Sequence, residues 1–155
     1  MNILPHLSRH LLEVSNGGNW TEVDLAATLQ NLDYREASTV TAASPNTIAA
    51  LVHHLTYWNR VMKQRLAGID VLVPEINGFD VPAINNDRDW AALAADYFLS
   101  ARELADAILQ ADEERLWDPI VPGRPSSVYK SLQGTVEHIH YHLGQLMILK
   151  KLIKS

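Results

Sequence analysis

Apolar residues along this chain recur at intervals of three and four over long windows, while alternating runs of strand length are scarce. Each such segment buries one stripe, so the chain is predicted to be all-α, with four long amphipathic helices packed as a four-helix bundle and joined by long loops. With 47% hydrophobic and 20% charged residues, the material suffices for a packed core, and residues 1–155 are expected to form a single domain.

The first long helix is predicted from Ile3 to Ser15, with Ile3, Leu7, Leu11 and Val14 inward, and is stopped by Asn16-Gly17-Gly18-Asn19. Thr21-Glu22-Val23-Asp24 has the spacing of a capping box and predicts a short helix through Leu25, Ala26 and Leu29. Ser44-Pro45 reads as the start of the second long helix, a serine cap followed by a proline pre-set for the first turn, running to about Ala67 before Gly68. The proline- and glycine-containing stretch from Gly68 to Asp87 is long for a compact fold and is expected to cover a pocket. A third long helix opens near Asn86 or Asp87 and places Trp90, Leu93, Ala94, Tyr97, Ala101, Leu104 and Ile108 on one stripe. The last is predicted from Ser127 to Lys151.

Absence of cysteine excludes disulfides, thiolate metal sites and cysteine nucleophiles. The N-terminal stretch does not read as a secretion signal and no run reaches membrane-spanning length, so a soluble cytoplasmic protein without a membrane partner is expected. A net charge of −5 opposes a nucleic-acid partner, whose phosphates demand a basic face.

The chemistry concentrates in histidine. On a wheel of about 100° per residue with His138 at zero, Leu132, Val136, Ile139, Leu143 and Leu146 fall between about 80° and 160°, His142 at about 40° and His140 at about 200°. His138 and His142 therefore share one edge of the buried stripe, one turn apart, and His140 lies beyond the other edge. In the second long helix the stripe of Ile48, Leu51, Leu55, Trp58 and Met62 leaves His54 at the core border and turns His53 to solvent. Two helices can thus bring three imidazoles together, a donor set for zinc, nickel, copper or iron with coordination positions left open. Hydrogen-bonded core histidines are the competing reading, and His6 with His10 on the first helix forms a rival i, i+4 pair.

LVHHLTYW at 51–58 and LQGTVEHIHYHLGQLMILKKL at 132–152 resemble the DinB/YfiT-like family of metalloenzymes, and the order of elements is similar over nearly the whole chain. The most specific piece is H-x-x-x-H-x-G-Q, here His138, His142, Gly144 and Gln145, together with the histidine-leucine step at His54. The resemblance implies a four-helix bundle in which His54, His138 and His142 bind a divalent metal ion, nickel or zinc; it assigns no role to His6 and His10 and leaves His53 and His140 as surface groups or as supports behind the ligands. Gln145 is expected near the metal or its ligand, and Tyr57 and Trp58 are candidates for lining a pocket, with Trp20 and Tyr141 also available. The implied activity is a metal-dependent enzyme acting on a small-molecule substrate, a thiol-dependent transferase or a hydrolase. No catalytic residue is identified, because no carboxylate stands at a diagnostic spacing, although Glu137 adjoins His138. Two alternatives remain at this level: a non-catalytic, metal-stabilised module that binds a small molecule or a protein in a stress response, and a bundle whose histidines only hydrogen-bond. Pairing into a homodimer through a helix face is also implied.

Overall fold

The computed structural model describes residues 2–155, and among them it contains helices and turns but no strand. The elements are α1 (Leu4–Asn16), α2 (Leu25–Leu29), α3 (Tyr34–Ala37), α4 (Ile48–Leu66), α5 (Asp87–Leu109) and α6 (Val128–Lys154), with a single 3-10 turn at Glu113–Arg115 before α6. No described helix is long and apolar enough to cross a membrane.

Each long helix packs on two others, α1 and α4 both against α5 and α6, so the four form a closed ring of neighbours around one apolar core. The predicted stripes are the buried ones: Leu7, Leu11 and Val14 on α1, Ile48, Leu51, Leu55 and Met62 on α4, Trp90, Leu93, Tyr97 and Leu104 on α5, and Leu132, Ile139, Leu143 and Leu146 on α6. Ion pairs Arg60–Asp96 and Lys63–Glu103 join α4 to α5 at the exposed surface. Such pairs contribute about 0–1 kcal/mol each, against about 1.5–3 kcal/mol for burying one leucine-sized side chain, so the helix pair is held by its core.

Helix ends depart from the sequence reading at three points. Thr21 does not cap α2, because its N–H and hydroxyl both donate to Asn19 Oδ1, and Asp24 takes the role by accepting from the Ala27 N–H at 2.8 Å. Ser44 does not cap α4 either: its hydroxyl oxygen closes a turn by accepting from the Asn46 N–H, and Thr47 caps three residues later through the Ala50 N–H. The short α3 has no counterpart in the sequence reading, although Asp33 and Glu36 form a reciprocal capping box that fixes it. α5 is capped by Asn86 and α6 by Ser127, as their sequences suggest, and α6 continues past Lys151 to Lys154.

Candidate metal centre

Packing of α4 on α6 sets the His54 ring against the pair presented by successive turns of α6. His54 Nε2 lies 3.1 Å from His138 Nε2, and His138 Nε2 lies 2.9 Å from His142 Nε2. Ligand nitrogens of the three fall within 4.8 Å of one another, the one such group found among the described residues. His54 and His142 are buried and His138 is half-buried.

The protons on these rings are decided by what lies behind them. His54 Nδ1 is 2.7 Å from the Asn77 carbonyl oxygen. A carbonyl only accepts, so Nδ1 carries the proton and Nε2 keeps its lone pair. His142 Nδ1 likewise donates to Gln145 Oε1 at 2.7 Å, while the Gln145 amide nitrogen donates to the Tyr141 hydroxyl at 3.3 Å. Two bare Nε2 atoms therefore face His138 Nε2, which as a neutral ring can offer at most one proton between them. Protonating the group is opposed by burial, which with the neighbouring histidines pushes His54 and His138 down to about 4 and also lowers His142. A divalent cation instead meets a lone pair on every side. Bonds of about 2.0–2.1 Å at angles between roughly 90° and 110° put ligand nitrogens about 2.8–3.4 Å apart. The observed 3.1 and 2.9 Å match that spacing, so the residues present fit a bound divalent ion.

His54 is also held from the side of the long loop, in a way that sequence reasoning did not find. Asn77 (φ 55) and Gly78 (φ 76) take consecutive left-handed conformations, and the Asn77 and Phe79 N–H groups donate to the carbonyls of Pro74 and Ile76. This strap delivers the Asn77 carbonyl to His54 and stacks the Phe79 ring on it at 4.1 Å and 11°. Asn-Gly is a turn signal readable in the sequence, but a backbone acceptor has no residue type of its own.

The remaining predicted residues sort around this frame. Trp58 turns its ring edge-on to His54 and His138 and donates from Nε1 to Asn77 Oδ1 at 3.1 Å. Tyr57 supports the strap, since Gly78 rests on the root of its ring. His53 does not point to solvent as expected: it is half-buried and donates from Nδ1 to the Gly78 carbonyl at 2.8 Å, because the loop folds over that face of α4. His140 stays outside the group, donating to the Val136 carbonyl, with its ring 5.9 Å from that of His10. His6 and His10 form no joint site, as exposed His6 accepts from Arg9 instead. Trp20 is 95% exposed and lines nothing in this region, and Glu137 is exposed on the outer face of α6.

Compared with known families, the chain matches the sequence profile of the DinB superfamily over residues 19–146, which include the three histidines, the strap and Gln145. No curated protein and no solved structure matches it. The all-helical order, the histidines of α4 and α6, and a profile match across most of the sequence converge: the chain belongs to the DinB superfamily.

Proposed function

We propose that the protein is a metal-dependent enzyme in which His54, His138 and His142 hold a divalent ion, nickel or zinc, and in which a small-molecule substrate undergoes thiol transfer or hydrolysis. The observation that carries this reading is the convergence of three Nε2 atoms, with two of the rings fixed from behind, His54 by the Asn77 carbonyl and His142 by Gln145. A divalent ion bound there supplies a Lewis acid, lowering the pKa of a bound water or thiol or polarising a carbonyl. Asn77 and Gln145 keep Nδ1 protonated and so hold both rings in the ligating tautomer, a service that typically changes metal affinity by about 10–100-fold. Phe79 and Trp58 cover the imidazoles and limit water around them. Among the described residues the ligand group is made of histidines alone, with no carboxylate in it.

Elemental analysis of protein purified without a histidine tag tests the reading, followed by thiol-transfer and hydrolysis screens with and without chelator. The expected result is about one divalent ion per chain, absent from the His54→Ala/His142→Ala double variant, and chelator-sensitive turnover. Metal-free wild-type protein whose behaviour the double variant leaves unchanged would overturn it.

A further inference from the structure

Beside His138 lies a cavity of about 220 Å³, walled by Trp58 and Met62 of α4 and by Ser131, Gly134, Thr135 and His138 itself of α6. Larger hollows elsewhere, of about 430 Å³ between α2 and α6 and about 800 Å³ beside α3, contain none of the three histidines. The smaller cavity, by contrast, touches a candidate metal ligand, His138. Its walls carry no Asp, Glu, Lys or Arg, and the Thr135 hydroxyl is already committed to the Ser131 carbonyl at 3.0 Å. An ionised group entering it would lose water and find no charged residue in the walls, the Arg65 guanidinium being engaged on the Trp58 face.

Gly134 is the wall position at which a side chain would narrow the cavity. This glycine lies inside α6, where glycine costs about 1 kcal/mol relative to alanine. A Cβ there would meet no atom within 4 Å, so a side chain at residue 134 would find room and project into this space. Across it the Trp58 indole is pinned by its hydrogen bond to Asn77 and lies under the Arg65 guanidinium, 5.4 Å from the ring centroid. The wall is therefore formed before anything binds. An apolar cavity of about 150 Å³ holds benzene, so this one admits a substituted six-membered ring, and an indole face with a methionine thioether suits an aromatic one.

We infer that this cavity receives an uncharged aromatic group of the substrate, about the size of a substituted phenyl ring, and seats it beside His138 so that the other end of the molecule reaches the metal. The inference rests on the metal reading above. Gly134, Trp58 and Met62 are then specificity-determining residues, with residue 134 setting the width.

Two probes separate the cavity from the metal. Fluorobenzene and 4-fluorobenzoate, followed by fluorine NMR, report on the cavity alone. Fluorobenzene is expected to bind wild-type protein and metal-free His54→Ala alike, at least tenfold more tightly than 4-fluorobenzoate, and to bind Gly134→Leu at least tenfold more weakly. Gly134→Ala, whose methyl group finds open space, gives a smaller loss should the leucine variant fold poorly. Imidazole and 4-phenylimidazole, titrated into metal-loaded protein, report on the link between the two. The phenyl group is expected to tighten binding at least tenfold in wild type and to bring no advantage in Gly134→Leu, with metal content unchanged. Fluorobenzene that fails to bind, or binds both glycine variants as it binds wild type, refutes the cavity assignment, as does equal binding of the benzoate. A protein that holds no metal yet shows the fluorobenzene pattern refutes the metal reading, and with it the seating beside a metal, while the cavity's preference stands.

Discussion

Replacing Gly78 by alanine tests the claim that the loop strap holds His54 in its ligating geometry. Gly78 has φ +76, and a Cβ placed on it would stand 2.6 Å from Tyr57 Cγ and 2.7 Å from both Tyr57 Cβ and Cδ1. Those atoms are the root of the side chain, so the strap must lift or Tyr57 must leave its place. A left-handed alanine costs about 1–2 kcal/mol and overpacking of this kind about 1–3 kcal/mol, together about 2–5 kcal/mol. In a chain of this size each kcal/mol moves the melting temperature by about 2–4 °C, so a fall of about 4–20 °C is expected. Gly68 provides the control, having φ +84 with no atom within 4 Å of its Cβ position, so Gly68→Ala incurs the first cost alone. Lifting the strap also draws the Asn77 carbonyl from His54 Nδ1, now 2.7 Å away, and unstacks Phe79. Metal affinity, read by competition with a chelating dye, should fall about 10–100-fold in Gly78→Ala. It should be unchanged in Gly68→Ala. Equal behaviour of the two variants, or wild-type metal affinity in Gly78→Ala, would show that the strap does not orient the ligand.

Acid should unfold the metal-free protein through the same group. Burial lowers His54 and His138 from an ordinary 6.5 to about 4 in the folded state, so the unfolded chain takes up protons first, and stability present above pH 6.5 is lost as pH falls toward 4. Urea melts of chelator-treated protein across that window check it, and a His54→Ala/His138→Ala variant should show a flatter profile. Removing the acceptor behind His142 in Gln145→Ala should weaken metal binding about 10–100-fold while Gln145→Glu restores most of it, because a carboxylate also accepts from Nδ1. Dye competition against the three proteins would expose a merely structural role for Gln145 if all bound alike.

Much of the site is legible in the sequence because its elements are local. His138 and His142 are one turn apart on a single helix, and their common edge follows from helical periodicity whatever surrounds them. The same periodicity puts His54 at a core border and marks the buried stripes of all four long helices. It fails at His53, since a helical wheel describes one helix and knows nothing of the loop that folds over its outer face. Local capping signals fail at Ser44, because the choice between Ser44 and Thr47 as cap depends on the path by which the chain enters α4, and a turn to Asn46 already engages the serine.

The sequence by itself determined that the chain is helical, which faces are buried, and that three imidazoles border the core. Only the tertiary structure decided that His54 and His138, 84 positions apart, come to 3.1 Å, and that a loop carbonyl and a glutamine turn two of the rings so that their bare nitrogens converge. Periodicity is a property of one helix, whereas the register between helices and the carbonyl a loop presents arise from side-chain packing and backbone hydrogen bonding across the whole molecule.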